Sequence, residues 1–235
     1  MSEEKGRVVI EGEASPMKYT KLLGDALRSL ENDKTGFRSD ELAYLALTSK
    51  PELAIRDRLA FHLYLKLKQD GLFVSREYHI GKGKHADIAI LHSDGSGEVV
   101  VAVLLELKVY SFFNLDCEVH PKKQEEIADK VRADFNKCGK DANEVFCLFL
   151  APNIENEDLP IDLPYDDIVP SWGSWLSYKK DEKKRKKKVV KDKMGEFFKK
   201  RKWEIISGEV RGGSAFNLKV SVPYWLLKLP AHGRS

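Results

Sequence analysis

The run EVVVAVLLELKVY, residues 98–110, constrains the fold of this chain more than any other stretch. Its density of valine and leucine is that of a central β-strand, packed within a sheet rather than left at its rim. Yet it closes on Glu106 and Lys108, and the segment before it, HADIAIL, opens on Asp87. A core strand has little reason to bury a carboxylate and an ammonium unless something offsets their desolvation. Where these three charges meet is the question the sequence poses.

The flanking patterns supply a frame. SPMKYTKLLGDALRSLEN, residues 15–32, has apolar positions at helical spacing, and SDELAYLALTS reads as a short second helix. KPELAIRDRLAFHLYLKLKQDG follows, with Pro51 in the first turn, Ile55, Leu59, Leu63 and Leu67 every four residues, and Asp70-Gly71 as the stop. The period then changes to that of strands in LFVSREYHI and HADIAIL, joined by the polar turn GKGK, and in the valine-rich run. HPKKQEEIADKVRADFNKCG returns to helix, with Ile127, Val131 and Phe135 on one face, before the apolar strand EVFCLFLAP. A strand, helix and strand in that order predict a right-handed crossover between parallel strands.

Three segments are expected: an N-terminal helical extension over 1–49, a core over 50–152, and a C-terminal extension over 153–235. In the last, KWEIISGEV and SAFNLKVSV predict a hairpin around RGGS, followed by PYWLLKL. The expected fold class is α/β, a mixed sheet flanked by helices. No apolar run approaches the roughly 20 residues of a membrane-spanning helix, and the start lacks a secretory profile. Cys117, Cys138 and Cys147 are odd in number and unpatterned, which fits a reducing, cytoplasmic setting.

Charge is unevenly spread. Residues 179–202 hold fourteen Lys or Arg against four acids, a net +10, which leaves −7 for the remainder of a chain whose total is +3. A solvated lysine-rich loop explains this, and so does a site for a polyanion. On the second reading Lys183, Lys184, Arg185 and Lys186 contact nucleic acid, with Trp172, Trp175 and Trp203 nearby to stack on bases.

Strand alternation puts Glu106 and Lys108 on one face. If Ser96-Gly97 forms the loop between the two strands, paired positions sum to 193 and Asp87 lies opposite Glu106. The Asp94-Gly95 turn is the stronger hairpin signal. It gives a sum of 189, and at 3.3 Å per residue it parts the carboxylates by about 13 Å. In either register Ile88, Ile90, Val101, Val103, Leu105 and Leu107 share the core face. Asp87, Ala89, Ala102, Glu106 and Lys108 share the other, partly covered by Leu91 and Leu104. Carboxylates about 5 Å apart repel unless a cation or proton lies between them. Oxygen ligands of this kind suit Mg²⁺, and a nearby lysine offsets charge on a phosphate.

Asp87, the Glu106-Leu107-Lys108 triplet and the order of elements over 50–152 resemble the PD-(D/E)xK, or restriction-endonuclease-like, nuclease superfamily. The resemblance covers a little under half the chain, and Ala86 stands where the eponymous proline would. It implies Mg²⁺-dependent (or Mn²⁺-dependent) cleavage of DNA by a restriction-type or a repair or defence nuclease. It further implies Asp87, Glu106 and the Leu107 carbonyl as metal ligands, and Lys108 beside the attacking water. Glu52 occupies the place of a further glutamate ligand, although a helix-surface pair with Arg56 explains it equally. His85 would share the face of Asp87, and Lys82 and Lys84 are placed to touch phosphates. Gln124, Lys130 and Lys137 lie on the following helix, where nothing in the sequence selects among them. The alternative is a non-catalytic nucleic-acid-binding protein that keeps the fold. Double-strand cutting would call for a homodimer.

Overall fold

A computed structural model describes residues 19–31, 36–110, 115, 121–138, 142–156, 169, 172 and 180–228. The chain order is α1 (Tyr19–Arg28), α2 (Glu41–Thr48), α3 (Glu52–Leu67), β1 (Phe73–His79), β2 (His85–Ser93), β3 (Val99–Val109), α4 (Pro121–Cys138), β4 (Glu144–Leu150), β5 (Asn153–Ile154), α5 (Lys180–Lys200), β6 (Glu204–Ala215) and β7 (Leu218–Lys228). The strands form one open seven-stranded sheet in the order β1-β2-β3-β4-β7-β5, with β6 on the other side of β7. Pairing is antiparallel except between β3 and β4, which are parallel and joined through α4. Mixed α/β architecture follows, as the alternation of periods requires.

The sheet is buried on both faces. Ile55, Leu59, Leu63 and Leu67 of α3 pack with α1 against Ile88, Ile90, Val103, Leu105 and Leu107. Each of these side chains contributes roughly 1.5–3 kcal/mol by leaving water. On the opposite face Ile127, Val131 and Phe135 of α4 join Ala89, Leu104 and Cys147. α3 tightens into a 3-10 turn over Lys68–Asp70, which stops where Gly71 takes φ 70°, a left-handed conformation that glycine adopts without a Cβ penalty.

The C-terminal hairpin is built into this sheet, since β7 pairs with β4 from Phe146↔Lys228 to Leu150↔Tyr224. Its turn is Phe216-Asn217 rather than RGGS, with both residues at positive φ as a two-residue loop of this kind demands. The glycines instead form an irregularity between Arg211 and Gly213, where the register shifts by one. The lysine-rich stretch is not a loop. α5 buries Val190, Met194, Phe197 and Phe198, a helical stripe against the α4 side of the sheet. Among the described residues no helix is long and apolar enough to cross a membrane.

Candidate functional site

Neither predicted turn forms between β2 and β3. Asp94 pairs with Glu98 around a three-residue loop, its Oδ1 accepting from the Ser96 amide, the Ser96 hydroxyl and the Glu98 amide at 2.6–2.9 Å. Gly97 supplies the positive φ of 89°. The pairing Leu91↔Val101 is followed by Ile90↔Val103, so Ala102 is an extra residue, a bulge. Beyond it the register is Ile88↔Leu105, and its continuation sets Asp87 opposite Glu106. The bulge also overturns the expected face division. Ala102 packs with the α3 side, and Val101 with the α4 side.

At this end β2 and β3 part, and the Asp87 carboxylate enters the gap. Its Oδ2 accepts a hydrogen bond from the Leu107 amide at 2.7 Å. A strand residue turns its N–H and C=O to the same edge, so the Leu107 carbonyl faces the β2 side with Asp87. Glu106 is 4% exposed and lies beside Cys147 of β4. Burial pushes its carboxyl above the usual glutamate range, against the hydrogen bond from Lys137 that pulls it down, and Asp87 adds to the rise. Lys108 pairs with Asp134 of α4 at 3.0 Å and stands 3.9 Å from Glu106 Oε2. Burial works against the charged form of Lys108, but Asp134 and Glu106 outweigh it and raise its pKa. Burial likewise holds the Cys147 thiol protonated.

Two residues that sequence reasoning left unselected or missed complete this network. Lys137 donates to Glu106 Oε1 at 2.9 Å and also to the His85 carbonyl. Asp134 and Lys137 are three apart on α4 and therefore share a face, beside the Val131 and Phe135 stripe. That spacing was the available signal.

The α3 side contributes Glu52, Arg56 and, through β1, Glu77. Glu52 is the first residue of α3, and its carboxyl is raised by burial and by the nearby Asp87 while Lys108 opposes. The expected Glu52–Arg56 surface pair is not what Arg56 makes. Arg56 is 8% exposed, pairs with Glu77 and with Asp57 at 3.1 Å, and comes to 3.9 Å from Asp87 Oδ1. Glu77 falls between the pairs Arg76↔Ile88 and Tyr78↔Ala86 of the β1–β2 register and takes φ 49°, uncommon for a residue with a side chain.

The sequence candidates Asp87, Glu106, Leu107 and Lys108 are thus gathered in one place, and Glu52 is near enough for the charges of Asp87 and Lys108 to act on it. Lys82 and Lys84 are exposed at the β1–β2 hairpin tip, at the same end of the sheet. His85 is at the rim, its Nδ1 3.1 Å from the Glu77 carbonyl. Lys183 is buried at 6% exposure and offers no surface to a phosphate. The side chains of Lys184, Arg185 and Lys186, and Trp175, lie outside the described residues. Base stacking by Trp172 and Trp203 is excluded. Trp172 is buried with its Nε1 donating to the Ala46 carbonyl, and Trp203 packs on Phe198 at 5.7 Å between ring centroids.

Comparison with protein-family models, with curated proteins and with solved structures finds no match to this chain. The site must be judged by its own chemistry. Among the described residues no three His, Cys, Asp or Glu side chains form a ready-made metal cluster. Mg²⁺ asks for less, since it takes one or two protein carboxylates and fills its shell with water and substrate phosphate. Asp87 acts on the pKa of both Glu52 and Glu106, so it lies within electrostatic reach of each. Carboxylate and carbonyl oxygens are the ligand type that Mg²⁺ or Mn²⁺ takes.

Proposed function

We propose that this protein is a metal-dependent nuclease that hydrolyses phosphodiester bonds in DNA. The observation that carries the reading is the entry of Asp87 between the strands, bonded to the Leu107 amide, with Glu106 and Lys108 on either side of that amide. Asp87 and Glu106, with the Leu107 carbonyl and Glu52, would hold Mg²⁺ or Mn²⁺. When bound, that ion supplies Lewis acidity toward the phosphodiester. Lys108, fixed by Asp134 and Glu106, keeps its proton and so offers a permanent positive charge to phosphate oxygens. Lys82 and Lys84 grip the backbone from the hairpin tip, and the basic run of α5 adds long-range attraction. A homodimer belongs to the same reading, because cutting two strands calls for two sites, as does a cytoplasmic setting.

One observation favours the alternative, a nucleic-acid-binding protein without catalysis. Glu106 already carries an ammonium from Lys137, and Asp87 lies near Arg56, so the carboxylates have internal counter-charges. The two readings part in a cleavage assay on plasmid and single-stranded DNA with Mg²⁺ or Mn²⁺, wild type beside Lys108→Ala. Metal-dependent cleavage lost in the variant, with DNA binding retained, supports the nuclease. Equal background cleavage in both supports the binding protein.

A further inference from the structure

The last turn of α4 places Lys137 where an enzyme of the proposed kind would place a metal ion. Its ammonium rests on two oxygens from different strands, Glu106 Oε1 of β3 at 2.9 Å and the His85 carbonyl of β2. Glu106 is the most deeply buried carboxylate of the site, and a buried anion without a cation is costly. Lys108 does not fill that role alone, because it is shared with Asp134 at 3.0 Å and stands 3.9 Å from Glu106 Oε2.

We propose that Lys137 is the built-in counter-ion of the metal-free site, holding the Glu106 oxygen that a divalent ion takes over, so that loading the ion displaces its ammonium. The inference rests on the metal-dependent reading and adds a competitor to it. An ammonium and a divalent ion on one carboxylate oxygen repel each other, so the two occupancies exclude one another. Release of Lys137 is inexpensive because a cation at a helix C-terminus is favoured by the exposed carbonyls. Glu106 thereby keeps a cation in both states, and the strands keep their spacing before metal arrives.

The test titrates Mn²⁺ into the full chain as wild type, Lys137→Gln, Lys137→Arg and Asp87→Asn. Free ion is read by electron paramagnetic resonance and folding by circular dichroism. Lys137→Gln is expected to bind Mn²⁺ about tenfold more tightly, the scale of one charge-assisted hydrogen bond no longer displaced. Its thermal midpoint falls without Mn²⁺ and recovers more than that of wild type when the ion is added. Lys137→Arg is expected to bind more weakly than wild type, because its fork grips the carboxylate more firmly. Unchanged or weaker binding in a folded Lys137→Gln overturns the proposal, and if that variant does not fold, wild-type affinity in Lys137→Arg overturns it. Mn²⁺ binding sensitive to Asp87→Asn but indifferent to residue 137 removes this inference alone. Mn²⁺ binding equally weak in wild type and Asp87→Asn removes the metal reading beneath it, and this inference with it.

Discussion

Asp87 of β2 accepts a hydrogen bond from the Leu107 amide of β3, at 2.7 Å, at the point where the two strands cease to pair. The side chain takes the place of the carbonyl that a continued ladder would have provided, so one carboxylate oxygen is structural, and on the proposed reading the other, 3.9 Å from Arg56, serves the metal. Asp87→Ala is predicted to leave that amide without its acceptor and to cost about 1–3 kcal/mol, read from urea denaturation. Asp87→Asn keeps an acceptor but not the charge. It is expected to retain most of the stability while losing metal-dependent cleavage, and equal loss of stability in both variants would contradict the division of roles.

Arg56 ties α3 to Glu77, Asp57 and the neighbourhood of Asp87. Arg56→Ala removes the counter-charge of Glu77 and Asp87, while Asp57 keeps Arg76 at 2.8 Å, and a loss of about 1 kcal/mol is expected in chemical denaturation. Arg56→Lys should restore little, because a point charge cannot span three carboxylates as a planar fork does. Full rescue by lysine would show that charge alone matters there.

Burial raises the carboxyls of Glu106 and Glu52 above their unfolded values. Stability from such groups is complete below the ordinary glutamate pKa of about 4.3 and is lost as pH rises through the raised folded values. The stability of wild type relative to Glu106→Gln, measured without divalent metal, is therefore predicted to fall as pH is raised from about 4 to about 7. A difference that grows over this window would mean that Lys137 and Lys108 more than repay the desolvation.

The register that aligns the site depends on two local devices, the glycine-closed loop and the Ala102 bulge. Gly97→Ala meets no atom within 4 Å, so only its φ of 89° is penalised. A loss of about 1 kcal/mol is expected, with cleavage unchanged. Deleting Ala102 removes the extra residue and leaves Val101 and Val103 adjacent on opposite faces, so the pairing through Ile88↔Leu105 is expected to persist. Thermal unfolding should show a folded variant, and collapse of folding on deletion would refute this account of the register.

Most elements were legible because their periods are strong, as in the four-residue recurrence from Ile55 to Leu67 and the Ile127, Val131 and Phe135 face. The gathering of Asp87, Glu106 and Lys108 was legible only as one of two registers. The turn chemistry that decides it is spread over Asp94, Ser96 and Gly97, and the bulge has no composition signature. α5 escaped because its lysines mask the stripe of Val190, Met194, Phe197 and Phe198. The integration of β7 beside β4 escaped because the pairing spans more than seventy residues of sequence. Asp134 and Arg56 were ordinary helix charges until the sheet gave them partners.

The claim on which the rest depends is that Asp87 and Glu106 serve one divalent ion. Crystals grown with Mn²⁺ and recorded at the manganese absorption edge test it directly. The account predicts a single anomalous peak in contact with the carboxylates of both Asp87 and Glu106, with the Lys137 ammonium moved off Glu106. Crystals holding Mn²⁺ elsewhere, with Lys137 still seated on Glu106 and no peak between the two acids, would contradict it.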